Sequence, residues 1–215
     1  NGASIDGADM AGVMTDAPFG TALDALAMPI GKLLEEHSLW VESEGAEGKP
    51  ISLAGADLRP LQSLTHLNLT ALSAPGAVFY GLNLEGVKMQ GAQLQNADLR
   101  TAKLQGADLR GANLRDAKLS NADLRDCNLG PLLINGDRLM PTQLNGAQLR
   151  YADLRGADLR HVALVSSDAS FANFGGANLR GADFSHSTLT GAQIMHSAFR
   201  ETIFDGAVGV KLLSR

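Results

Sequence analysis

The 215-residue chain carries 23 acids against 18 bases, a net charge of −5, with one cysteine and 5% aromatic residues. A single cysteine rules out a disulfide framework within the chain, and no apolar run is long enough to span a bilayer as a helix. The charge is uneven: residues 1–58 hold ten acids and two bases, whereas residues 59–205 hold thirteen acids and fourteen bases and are nearly neutral. No secretory signal is visible, so a cytoplasmic location is the expectation. The chain opens on Asn1 rather than Met, as a fragment or a processed form would.

Residues 1–12 hold two short triplets, Ala3-Ser4-Ile5 and Ala8-Asp9-Met10, which anticipate a pattern that runs in full further on. Residues 13–50 read as a helical insertion with loops. Within 21–43, Ile30, Leu33, Leu34, His37, Trp40 and Val41 fall on one helical face at spacings of three and four. Pro29 suits a first helical turn, so the helix proper starts near it and any turn at 21–27 is separate or kinked. Gly45 is the expected stop, and 44–50 is a polar loop.

The triplets return with Ile51-Ser52-Leu53 and Ala56-Asp57-Leu58, then slip by one residue near Pro60. That slip calls for a bulge or a loose corner. From Leu64 to Phe204 every fifth residue is apolar, 29 positions in all, and only Ala74 and Ala169 among them are small. Two residues before each sits a small side chain, usually Ala, although Leu67, Leu72 and Leu82 take that place in the first repeats. Residues 130–143 look irregular but keep the period, with Pro131 and Pro141 at corner positions. Asp137 falls on an inward position. Either a local bulge turns it to solvent, or it is buried and hydrogen-bonded. Residues 207–215 are a tail.

A period of five fits neither a helix, where the leucines would drift round the axis, nor a straight strand, where they would alternate between faces. The small residue and the leucine are two apart, so they share a face of a short extended segment. A chain that turns a corner after every repeat keeps both inward, and such a chain stacks coil on coil as a solenoid. The run ADLRTAKLQGADLRGANLRDAKLSNADLRDCNL resembles the pentapeptide-repeat proteins, over residues 62–206 with outlying copies at 3–10 and 51–58. The resemblance implies an all-β solenoid, a right-handed quadrilateral parallel β-helix with four repeats per coil, spanning 51–206. The 29 repeats would then make about seven coils and a rod roughly 34 Å long at about 4.8 Å per coil.

Few residues suggest chemistry. Folded at twenty residues per coil, His161, His186 and His196 fall at different corners, so no metal site is expected. Cys127 occupies an inward small-residue position and reads as a buried structural thiol. The Asp residues of the motif are solvated side positions, and the glycines recur at corners for conformational reasons. No catalytic constellation, phosphate-binding loop or cofactor site is legible, so the expectation is a protein without enzymatic activity, metal or cofactor. In one coil Ala169 makes room for Phe174 and Phe184 beside Leu179.

Nine arginines follow a central Leu or Phe directly. Columns drawn at a spacing of twenty stack Arg100, Ser120, Met140, Arg160, Arg180 and Arg200, which makes Arg100, Arg160, Arg180 and Arg200 a candidate partner-binding ridge. Aromatics do not interleave with that ridge, so no nucleic-acid groove is expected. The helix supplies a candidate cap in Leu33, Leu34, His37 and Trp40, because the first coil of a solenoid needs a cover. The functional expectation is a non-catalytic scaffold that binds a protein partner, with no nucleic-acid or membrane partner. The sequence leaves its oligomeric state open. The alternative is a topoisomerase (gyrase)-binding DNA mimic, a role some members of the resembled family have; the neutral charge of 59–205 argues against it.

Overall fold

The structure, a computed structural model, describes residues 20–134, 136–195, 201–210 and 212–213. The triplets of 1–12, together with His196 and Arg200, lie outside the described residues.

From Leu64 onward the chain runs in coils of twenty residues with four sides each. Each side is five residues long, too short for an extended strand, and contributes a single bridging residue to a ladder that climbs the rod. Asn83 pairs with Lys103, Lys88 with Asp108, Gln93 with Asn113 and Asp98 with Lys118, all parallel. We number the faces 1 to 4 in that order. Both directions of each rung are used: the Leu94 N–H donates to the Asn113 carbonyl at 2.8 Å, and the Asn113 N–H donates back to the Ala92 carbonyl at 2.9 Å. On face 1 the ladder joins seven residues by six pairings: Ser63, Asn83, Lys103, Asp123, Asp153, Asn173 and Gln193.

The corner follows the leucine. The Ala97 N–H closes a turn on the Leu94 carbonyl at 3.1 Å, and the residue before it, Asn96, is left-handed with φ 58°. About half of the corners place Gly in that conformation, where it meets no Cβ penalty, and the others hold a non-glycine residue such as Thr101, Asp116 or His161 in it. The Leu and the small residue point inward at every regular repeat, and the central tract is fully buried from Ala92 through Leu129 at those positions. Backbone approach is limited by the small residue, which is why Ala dominates there. In the coil that begins at Ala169, Phe174 and Phe184 meet edge to face at 5.7 Å, and Phe184 stacks on Phe204 at 5.5 Å.

The extra residue near Pro60 is absorbed by a short 3₁₀ turn, Arg59–Leu61, followed by a left-handed Gln62. Leu72 and Leu82 are buried as expected, but Leu67 is 37% exposed. The reason is position: among the described residues no rung precedes Ser63 or Asn68, so Leu67 stands at the open edge of the first coil.

Residues 130–143 keep the period of five but leave the coil. Leu132–Ile134 (β1) and Arg138–Met140 (β2) form an antiparallel hairpin, and the ladder resumes with Asn113 paired to Gln143, thirty residues on instead of twenty. Two repeats are therefore spent outside the core, and Leu139 is 55% exposed instead of inward. Asp137 lies beside Gly136 (φ +82°) at the hairpin turn and is exposed. The hairpin folds back on the rod: a Cβ at Gly111 would lie 2.7 Å from the Met140 methyl and 2.8 Å from the Leu132 Cβ. Thr142 closes the gap at the hairpin base. Its buried hydroxyl accepts the Gly111 N–H at 2.8 Å and lies within donating distance of the Leu109 and Gly130 carbonyls, at 3.1 and 3.3 Å.

Upstream, Leu23–Ala25 is a separate 3₁₀ turn and the helix α1 spans Ile30–Glu42 with Pro29 before it. Its C-terminus is closed by the Gly45 N–H on the Trp40 carbonyl (2.8 Å), with Glu44 as the left-handed residue at φ 55°. Ile30, Leu33 and Leu34 pack against the solenoid core, and His37 is fully buried. Thr21 pairs in parallel with Ala56, adding a rung beneath that side. At the far end Ile194–Met195 (β3) pairs in parallel with Leu212–Leu213 (β4).

Candidate interaction surface

The outward residues are organised by a local rule. Where the repeat reads Asp-Leu-Arg, the carboxylate holds the arginine two residues on. The Asp98 Oδ1 accepts the Arg100 backbone N–H at 3.2 Å, and the same carboxylate takes the guanidinium in two bonds of 2.8 and 2.6 Å. The clamp recurs at Asp57–Arg59, Asp108–Arg110, Asp123–Arg125, Asp153–Arg155 and Asp158–Arg160. Bonds from Arg125 and Arg155 hold the Asp123 and Asp153 carboxyls below the usual carboxylate range, against a smaller opposing effect of burial. For Asp108 and Asp158 burial is the largest single influence and works upward, but the bonds and charge of their arginines, joined at Asp108 by a bond from Gln90, together outweigh it.

Where the residue before Leu is an amide, the arginine is released from its own repeat. Arg180 follows Asn178-Leu179 and reaches Glu201 at 3.1 Å. Arg150 follows Gln148-Leu149, contacts Asp168 at 3.4 Å, and lies over both the Tyr151 and Phe171 rings at 5.8 and 5.9 Å. Those rings stack on each other at 5.0 Å, nearly parallel, and remain 53% and 43% exposed. Tyr151 and Phe171 occupy left-handed corners, φ 58° and 60°, in the column that also holds Gly81, Thr101, Asn121 and Gly191. A bulky side chain in that conformation carries strain on the order of 1–2 kcal/mol. Arg100 likewise lies over Tyr80, at 5.4 Å. Aromatics and arginines therefore interleave on this side of the rod, contrary to the sequence expectation.

The candidate ridge is not one column. The hairpin consumes ten residues, half a coil, so every column after it shifts to the opposite face. Arg100 belongs to face 4 with Ser120 and Arg150, whereas Arg160 and Arg180 follow Arg110 on face 2. Arg100 and Arg160 are also clamped by Asp98 and Asp158. Sequence reasoning missed Arg150, Tyr151 and Phe171. Two signals pointed to them: an amide in place of Asp before the leucine, and aromatics at a corner that favours Gly.

Other candidates are dispersed. His66, His161 and His186 lie at three separate corners, each over the glycine of the next coil. Among the described residues no group of three or more His, Cys, Asp and Glu is placed to hold a metal ion. Cys127 is buried, its thiol is 2.9 Å from the Leu104 carbonyl, and burial pushes its pKa up to about 12, so it has little thiolate character. No helix among the described residues is long and apolar enough to cross a membrane. Each face carries both signs of charge, as face 2 does with Lys88, Asp108, Arg110, Asp158 and Arg160.

A family model for pentapeptide repeats, in eight copies, matches residues 63–100, 92–130, 142–181 and 170–206. The chain belongs to the pentapeptide repeat family. The interval left unmatched between these copies, 131–141, is the hairpin, which is an insertion into the pentapeptide-repeat coil. Among solved structures the chain is similar to HetL, a pentapeptide repeat protein involved in heterocyst differentiation regulation from the cyanobacterium Nostoc sp. strain PCC 7120. The identity is 28%, over 74% of this chain and 81% of HetL, with a TM-score of 0.39. A second pentapeptide repeat protein from Nostoc PCC 7120 is 25% identical over 77% of this chain and 99% of its own, TM-score 0.33. QnrB1, a plasmid-mediated fluoroquinolone resistance protein, is 16% identical over 76% and 84%, TM-score 0.36. No curated protein matches the chain.

Proposed function

We propose that this pentapeptide repeat protein is a non-catalytic scaffold: a right-handed, quadrilateral β-helix, capped by α1, that binds a protein partner. The observation that carries the reading is the Arg150–Tyr151–Phe171 cluster. Most arginines on the faces are clamped by their own aspartates, and the released Arg180 pairs with Glu201 away from any exposed aromatic stack. Here an arginine is released and two strained, exposed aromatic rings are stacked beside it. Local strain kept at a surface position is a mark of function, and Arg, Tyr and Phe are the residue types that anchor protein interfaces. The contact surface is thus the corner between faces 4 and 1, and the original arginine ridge contributes Arg100 to it through face 4.

The test is affinity capture and cross-linking with the full chain, comparing wild type with Phe171→Gly, Tyr151→Gly and Arg160→Ala. A partner held by wild type should be lost about 30-fold or more with either glycine variant, the magnitude of a 2 kcal/mol anchor, and kept by Arg160→Ala on face 2. Equal loss with Arg160→Ala, or none with Phe171→Gly, sinks this assignment. The mixed charge of every face gives no continuous phosphate-like field, so a gyrase supercoiling assay should register no inhibition; inhibition at low micromolar protein would favour the DNA-mimic reading instead.

A further inference from the structure

The α1 helix meets the first coil through a single buried polar group. His37 is fully buried, and its Nδ1 accepts the Ile51 backbone N–H at 3.1 Å. A ring nitrogen that accepts carries no proton, so the docked imidazole is the neutral tautomer with its hydrogen on Nε2. Nε2 is itself buried without a partner of good geometry, although the Thr70 backbone lies on that side and mildly favours the charged ring. The groups packed around it come from three elements. From α1 comes Trp40, stacked at 5.7 Å, while Glu36 only precedes His37 in the chain. The following loop brings Lys49, whose backbone N–H donates to the Glu36 carbonyl, and the solenoid brings the Ile51 and Thr70 backbone. No charged side chain contributes to the ring's titration.

A second proton has to go on Nδ1, where it would face the Ile51 N–H donor to donor. The resulting cation would sit in a dry site with no carboxylate to balance it. Beneath the helix lie the buried Ile51 and the core surface against which Ile30, Leu33 and Leu34 pack. Apolar surface of this kind, once uncovered, favours association.

We propose that the α1 cap is an acid-sensitive latch: protonation of His37 unseats the helix and bares the apolar surface that Ile30, Leu33 and Leu34 cover, through which a second copy of the chain associates. This rests on the capping role proposed above. The direction follows from proton binding. Burial holds His37 below its ordinary value of 6.5, so between the two values the docked state binds fewer protons than the undocked one. Docking is complete above about pH 6.5 and weakens as pH falls toward the docked-state pKa, about tenfold per pH unit inside that window. Below the docked-state pKa it changes no further.

Trp40 is the only tryptophan and reports on the latch directly. In the full chain taken from about pH 8 to about pH 4.5, its emission should shift to the red with a midpoint below 6.5. The Ile51 amide should lose hydrogen-exchange protection over the same range, and light scattering should report association. His37→Asn offers an acceptor oxygen near the Nδ1 position and does not titrate; it should stay docked and monomeric in acid. A wild type that keeps both Trp40 emission and Ile51 protection throughout, or a His37→Asn that undocks at the same pH, overturns the latch. If His37→Asn does not dock even at high pH, the wild-type imidazole followed by NMR decides: a His37 pKa at or above its ordinary value overturns it. Undocking without association overturns the second-copy role of the bared surface. Emission of a fully solvated indole already at high pH removes the cap itself and with it this reading.

Discussion

Thr142 is where the pentapeptide coil is re-entered after the hairpin, and replacing it with Val isolates the role of one hydroxyl. In the regular ladder a corner N–H reaches the carbonyl nineteen residues on, as Gly91 does to Arg110 at 2.9 Å. The corresponding bond from Gly111 is broken open, and the Thr142 hydroxyl stands in its place, accepting from Gly111 and lying 3.3 Å from the Gly130 carbonyl. The Leu109 carbonyl keeps its bond from Ala112 without Thr142, so two groups, the Gly111 N–H and the Gly130 carbonyl, lose their partner. A valine methyl fills the same volume and prevents the two from closing on each other. Each buried, unsatisfied group costs about 1–3 kcal/mol, and the added apolar contact recovers about 0.8 kcal/mol. Thr142→Val should therefore destabilise by about 1–5 kcal/mol. For a chain of this length that lowers Tm by roughly 2–20 °C. Thr142→Ser keeps the hydroxyl and should lose only about 1 kcal/mol for its missing methyl. Thermal and urea melts by circular dichroism measure both. A Thr142→Val that melts with wild type, or below which Thr142→Ser falls, would refute the reasoning that this hydroxyl replaces a rung.

Two further predictions concern the core and the clamps. Leu99→Asp puts an unpaired carboxylate among fully buried leucines and should abolish the folded rod, read as loss of the far-UV signal and of soluble protein; native-like unfolding of that variant would contradict the inward register. The clamped carboxylates Asp108, Asp123, Asp153 and Asp158 are lowered from 3.8, so the stability they supply is fully present above about pH 4 and is lost as pH falls through their folded-state values. Replacing Asp123 and Asp153 by Asn should flatten the acid limb of a stability–pH profile below about pH 4 while leaving neutral-pH stability within about 1 kcal/mol, since these pairs are partly exposed; an unchanged acid limb would mean the clamps add nothing to folding.

The sequence by itself determined the inward register, the corner after each leucine and the amphipathic helix, because each is a local consequence of a repeating pattern. Ala97 and Leu99 had to face the same way whatever the rest of the chain did, and Cys127 had to follow them inward. Unbroken period was also what misled. Leu139 satisfies the pattern of five, yet it is spent on a hairpin, because ten residues are two whole repeats and their departure leaves no slip to read. From that one excursion follows the separation of Arg100 from Arg160 and its sharing of face 4 with Arg150; Tyr151 and Phe171, one regular coil apart beyond the hairpin, meet without it. Which side chains share a face is a property of how many residues each coil contains, and only the tertiary structure fixes that count. The same holds for His37. Its spacing placed it on the apolar face of the helix, but its neutral state depends on the Ile51 N–H, fourteen residues away, brought into the first coil by backbone pairing that no local pattern encodes.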